Sequence, residues 1–173
     1  MNQVNLLRDS LKPLLPWHGA RLNFLALFLI ALIRVKTINL VELAVGFRSE
    51  AKTGSNHQRL QRFFKKFDLD YSLIAKLIVA LRKIPQPWVL SIDRTEWSFG
   101  PTRFHIFRLG ILHQGVADPI VWTMLSKKGN SNSDERMDLV DKFREIFPDA
   151  KIDYLCGDRE FIGQEWLINY YLG

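Results

Sequence analysis

Trp88-Val89-Leu90-Ser91-Ile92-Asp93-Arg94-Thr95 is the stretch on which the reading of this chain turns. It is a short apolar run that closes on an acid, the pattern of a buried strand, Trp88 to Arg94, with a carboxylate at its end. A rigid strand fixes where the oxygens of such a carboxylate point. A lone Asp after a strand ordinarily forms a turn. Asp93 is set apart by a second run of the same design, Lys151-Ile152-Asp153-Tyr154-Leu155-Cys156-Gly157-Asp158, which also closes on an acid.

The chain of 173 residues has room for one ordinary domain, or for a small helical domain and part of a larger one. Its 47% apolar and 24% charged residues are those of a globular protein with a buried core. The single cysteine, Cys156, excludes an internal disulfide framework and a Cys-rich zinc site, and it points to a reducing, cytoplasmic setting. His18, His57, His105 and His113 show no ligand spacing. Arg8, Asp9 and Lys12 precede the first apolar run and no small-residue cleavage site follows it, so no secretory signal is expected. Phe24 to Ile33 is far shorter than the roughly 20 apolar residues that span a bilayer, and no membrane partner is expected.

Charge divides the chain. Residues 1–85 carry 14 Lys and Arg against 5 Asp and Glu, whereas residues 86–173 carry 10 against 13. A basic first half attracts polyanions and an acidic second half is where cations are held. The prolines of Lys83-Ile84-Pro85-Gln86-Pro87 mark the expected boundary between a helical domain, 1–85, and a second domain, 86–173.

Within the first half, a short helix and a turn at Pro13 and Pro16 precede an apolar helix over 21–35. Asn39 caps a helix from Leu40 to Phe47, and Ser55 or Asn56 caps another from His57 to Phe67. In the latter Leu60, Phe63, Phe64 and Phe67 form the core face. Arg48, Lys52, Arg59, Arg62, Lys65 and Lys66, against the single Glu50 over 48–66, make the expected DNA-phosphate surface; a solvated basic face has the same composition. Short helix, loop and basic helix also resemble a helix-turn-helix. A helix from Tyr71 to Arg82 closes this domain.

The pattern then turns to strands. Arg103 to His113 and Val116 to Leu125 follow the first, joined by a Gln114-Gly115 hairpin turn, and Pro119 places the third strand at an edge or a bulge. Ser133 caps a helix over 134–147, the strand ending at Asp158 follows, and a further helix is expected over 164–172. Three meandering strands, a helix, a parallel strand and a helix are the opening order of the ribonuclease H-like fold, an α/β mixed sheet in which the first and fourth strands are neighbours. Two-fold alternation puts Val89, Ser91 and Asp93 on one face, and Ile152, Tyr154, Cys156 and Asp158 on one face of the other strand. Adjacent carboxylates repel unless a cation sits between them. Oxygen ligands select Mg2+ or Mn2+, so Asp93 and Asp158 are the expected metal ligands and catalytic acids.

Leu90-Ser91-Ile92-Asp93-Arg94-Thr95-Glu96-Trp97, Trp122-Thr123-Met124-Leu125, Lys128-Gly129-Asn130-Ser131-Asn132 and Gly157-Asp158-Arg159-Glu160-Phe161-Ile162-Gly163 look like bacterial insertion-sequence transposases of the DDE type, in the group named after insertion sequence number four. Arg59-Leu60-Gln61-Arg62-Phe63-Phe64 is similar to the helical DNA-binding region of such proteins. The resemblance implies that Asp93 and Asp158 are the first and second acids of the triad. It implies metal-dependent nicking at the ends of the mobile element and attack of the freed 3′-hydroxyl on target DNA. Double-stranded DNA, as transposon ends and target, is the implied partner, with a nucleoid-associated location and Arg159 as a phosphate contact beside the second acid. The family's third acid is a Glu within a Tyr-two-Arg-three-Glu-six-Lys pattern, which does not occur here; Glu160 and Glu165 are the acids after Asp158. The expectation is therefore a C-terminally truncated catalytic domain without its fifth strand, with an apolar face and an open edge. It would be completed by a downstream segment supplying the Glu or by a homodimer on DNA. The alternative is a non-catalytic DNA-binding remnant that occupies element ends.

Overall fold

The structure is a computed structural model that describes residues 3–125 and 131–161. Lys127, Lys128, Gly163, Glu165 and the helix expected over 164–172 lie outside the described residues, as does the side chain of Glu160. The chain forms two compact units, Met1–Asp70 and Tyr71–Gly173.

The first unit is helical: α1 Gln3–Leu11, α2 Gly19–Val35, α3 Leu40–Gly46 and α4 Thr53–Lys66. Phe24, Ala31, Leu43, Ala44, Phe47 and Leu60 form its core, with Phe28, Leu32 and Phe63 packed against it. Asn39 caps α3 as expected, its side chain accepting from the amide of Val41 at 2.9 Å. Three expectations for α4 change. The helix starts at Thr53 behind Lys52, whose side chain makes no capping bond, rather than at His57. Asn56 is buried within it instead of capping it: its amide donates to Ser49 Oγ (3.0 Å) and to the carbonyl of Ala51 (3.3 Å). Phe64, expected in the core, is half exposed and meets Phe28 edge-on. No single helix among the described residues is long and apolar enough to cross a membrane.

The second unit is a four-stranded mixed sheet in the order β3-β2-β1-β4 with helices. It runs α5 Tyr71–Arg82, β1 Trp88–Phe99, β2 Thr102–His113, β3 Val116–Leu125, α6 Ser133–Ile146, β4 Ile152–Gly157, and a single 3-10 turn, Arg159–Phe161. β1 pairs antiparallel with β2 and parallel with β4, so the first and fourth strands are neighbours. Trp88, Leu90, Ile92, Phe107, Leu109 and Ile111 form one buried layer with Leu139, Val140 and Phe143 of α6. The other face, which carries Asp93, leaves Trp97, Phe104, Leu112, Met124 and Tyr154 exposed.

The division falls at Asp70/Tyr71 and not at residue 85, because α5 belongs with the sheet. Ala75 of α5 is buried in the sheet's core, and Ile84 of the proline segment is buried there too. Arg82 Nε lies 2.9 Å from Asp118 Oδ2 on β3. Gln86, within the proposed linker, accepts the amide of Lys151 at 2.9 Å, which ties the approach to β1 to the approach to β4.

The hairpin turn at Gln114-Gly115 is present, with positive φ at both residues (51° and 78°) as a two-residue turn of the mirror-image type demands. Pro119 sits on an edge strand and at an irregularity, for the β2–β3 register shifts between Leu109 and Gly110. α6 is capped by Asn132 rather than Ser133. The Asn132 side chain accepts from the amide of Glu135 (2.8 Å), and Glu135 returns to the amide of Asn132 (2.9 Å), a reciprocal capping box.

Candidate functional site

β1 does not end at Asp93. Its pairing with β2 continues through Arg94↔Phe107, Thr95↔Ile106 and Trp97↔Phe104 to Phe99↔Thr102. Asp93 therefore projects from the middle of a twelve-residue strand. Pairing with β2 at Asp93 itself and at the residues before and after it still fixes its direction, which is what a ligand or catalytic acid requires. Asp158 does lie just past its strand. Ile92↔Gly157 is the last pair of the parallel ladder, so Asp93 and Asp158 each follow it by one residue, at adjoining positions. One expectation about faces fails: a register shift between Trp88 and Val89 separates Ile152, which packs on the core, from Tyr154, which is half exposed. The strand is in phase again by Cys156, opposite Ser91, whose thiol donates to the carbonyl of Leu90 at 3.2 Å.

What holds Asp158 in place is packing immediately after it. The Asp158 carboxylate accepts the amide of Arg159 (2.6 Å), and its carbonyl accepts the amide of Phe161 (2.9 Å). Phe161 is buried, stacks on Phe107 at 5.7 Å and lies under the guanidinium of Arg136. Arg136 is itself buried and donates to Ser131 Oγ (3.0 Å) and to the Ser131 carbonyl (2.7 Å). Gly157 makes this turn possible, since a Cβ there would stand 2.6 Å from Ile92 Cγ2 and 3.2 Å from both the Ile92 carbonyl oxygen and Phe161.

Asp93 has a partner that sequence reading did not supply. Arg108 lies directly across the hairpin and donates from Nη2 (2.7 Å) and Nε (3.2 Å) to Asp93 Oδ2, while Oδ1 accepts the amide of Arg94 (2.8 Å). Both bonds are charge-assisted but converge on one carboxylate oxygen, short of the two-oxygen fork that is a guanidinium's strongest arrangement. Both side chains are more than a third exposed, so solvent screens the pair. A two-residue turn at Gly100-Pro101 sets the register that puts Arg108 opposite Asp93.

Among the described residues no group of three or more His, Cys, Asp or Glu could hold a metal ion. Mg2+ keeps several waters and takes one or two carboxylates, so Asp93 and Asp158 are the residues that would hold it. Asp93 does so fully only when Arg108 gives up Oδ2.

Arg59, Arg62 and Lys66 recur at helical spacing on α4 and border Phe63 and Phe67, where Arg21 and Phe24 of α2 join them around a concavity of about 310 Å³. Arg48, at φ 44°, and Lys52 belong to the loop before α4. Arg159 is exposed in the turn beside Asp158. Arg21 was missed because it lies outside the basic run; its position at the start of an apolar helix was the only hint.

No family model, curated protein or solved structure matches this chain. What the chain does is therefore argued from its own residues.

Proposed function

We propose that this chain is a DNA transposition protein of the DDE type, in which Asp93 and Asp158 hold Mg2+ or Mn2+ and the helical unit grips the ends of the element. The observation that carries the reading is the parallel pairing of β4 beside β1, which gives the two acids adjoining positions although they are far apart in sequence. A bound divalent ion would activate the attacking oxygen and stabilise the leaving one in phosphodiester cleavage and strand transfer. The residues supply the rest. Asp93 and Asp158 present oxygens from fixed backbone, Phe161 anchors the turn that aims Asp158, and Arg159 beside it meets a backbone phosphate. Arg59, Arg62 and Lys66 neutralise DNA phosphates.

The test is Mn2+ binding followed by electron paramagnetic resonance. Asp93→Asn and Asp158→Asn should each remove most of the bound signal. Undiminished binding in both variants defeats the metal assignment.

A second reading, a non-catalytic DNA-binding protein that occupies element ends, is favoured by the hold of Arg108 on Asp93 Oδ2. A guanidinium already neutralises that acid, and the described residues bring no third carboxylate to it. DNA binding without Mn2+ binding would select this reading over the first.

A further inference from the structure

The concavity between α2 and α4 has two chemistries in one place. Its floor is aromatic: Phe24 and Phe63 have ring centroids 4.9 Å apart, and Phe63 stacks on Phe67 at 5.1 Å. Its rim is cationic: Arg21, Arg59, Arg62 and Lys66, with no acid among the lining residues. Two of the guanidiniums lie over the rings, Arg21 at 4.6 Å from the centroid of Phe67 and Arg59 at 5.4 Å from that of Phe24.

An aromatic floor steadies the cations above it for any phosphate, and it also adds flat apolar area that duplex backbone does not use. A guanidinium resting on a phenyl ring is held by the ring's quadrupole and loses less freedom when it binds. Arg59 spends Nη1 on Asn56 Oδ1 (3.5 Å) and Arg62 spends Nε on the Gln58 carbonyl (3.4 Å); their other N–H groups serve an anion, and a guanidinium's upper plane offers a stacking surface for a flat group. A flat ring attached to a phosphate is the ligand that uses both halves of the site.

We propose that this concavity receives one unpaired, phosphorylated nucleotide of bound DNA, its base against the phenyl–guanidinium layer and its phosphate among Arg21, Arg59, Arg62 and Lys66. The inference rests on the DNA-binding reading and sharpens it, because it separates recognition of an unpaired nucleotide from attraction to duplex phosphates. Stacking on aromatic and guanidinium planes tolerates any base, so the pocket selects strand state rather than sequence.

The test uses the full chain and three probes: deoxyadenosine monophosphate, a 5′-phosphorylated single-stranded dodecamer, and a blunt duplex. Arg21→Ala is the variant, because Arg21 is exposed at the start of α2 and no core residue depends on it. The expected result is a loss of affinity for the dodecamer of about tenfold, with duplex affinity falling about twofold or less. Deoxyadenosine monophosphate should also shift the amide resonances of Arg21, Arg59 and Phe67, and Arg62→Ala should reduce those shifts. Equal losses for dodecamer and duplex, or no loss for either, overturn the pocket while leaving DNA binding intact. A parent chain that binds neither DNA defeats the DNA-binding reading, and if the monophosphate then shifts nothing the pocket falls with it. Nucleotide shifts without DNA binding keep the pocket and remove its DNA.

Discussion

Replacing Gly157 by Ala tests how the two acids are held without altering either. The added Cβ would stand 2.6 Å from Ile92 Cγ2 and 3.2 Å from the Ile92 carbonyl oxygen and from Phe161 Cδ2. Ordinary carbon contacts need close to 4 Å. None of these neighbours yields easily. Ile92 is 2% exposed and branched at Cβ, its carbonyl belongs to a central strand, and Phe161 is 3% exposed and stacked on Phe107. The strand end must therefore shift, at the cost of overpacking a filled core, about 1–3 kcal/mol. Urea unfolding followed by tryptophan fluorescence reads this, since four of the five tryptophans belong to the second unit. Because Asp158 is the next residue, Mn2+ affinity should fall with stability. Ile92→Ala removes Cγ2, so in the double variant the two losses should be less than additive, as for any pair in contact. A Gly157→Ala protein within about 0.5 kcal/mol of its parent, with unchanged Mn2+ affinity, would refute the packing argument.

Three further outcomes are expected. Arg108→Ala should tighten Mn2+ binding by releasing Asp93 Oδ2, measured by titration calorimetry; weaker binding would show that the guanidinium supports the ion rather than competing with it. Duplex binding should weaken steeply with salt, and Arg59→Ala with Arg62→Ala should lower the slope of log K against log salt by about 2, as expected for two lost phosphate contacts; an unchanged slope removes these residues from the interface. Asn56→Ala should destabilise the helical unit by about 1 kcal/mol, since buried Asn56 gives up its bonds to half-buried Ser49 and to the carbonyl of Ala51, which water can reach; a loss below about 0.5 kcal/mol in thermal unfolding contradicts the role given to Asn56.

Sequence reading went furthest where one residue type has one conformational use. Gln114-Gly115 turns the chain at positive φ, Pro119 marks an edge strand and an irregularity, and Asn39 caps a helix. It failed where the outcome depended on a partner strand. Arg94 to Phe99 do not look apolar enough to extend a strand, yet pairing with Thr102–Phe107 carries β1 that far. The periodicity of α5 shows that it has a buried face but not that the face lies on the sheet. The candidate acids were visible because each closes an apolar run. Arg108 was hidden because a cross-strand contact requires the register, and Arg21 because its companions lie on another helix.

Pro119 and the irregularity beside it give the sheet an asymmetry of growth. At the β3 edge the proline offers no amide to an incoming strand, whereas β4, at the other edge, carries no proline and has no further strand beside it among the described residues. Extension of the sheet is thus directed to one side. Any strand added there, from the same chain or another, comes to rest against the strand that leads to Asp158, so that assembly of this sheet and construction of its site become a single event.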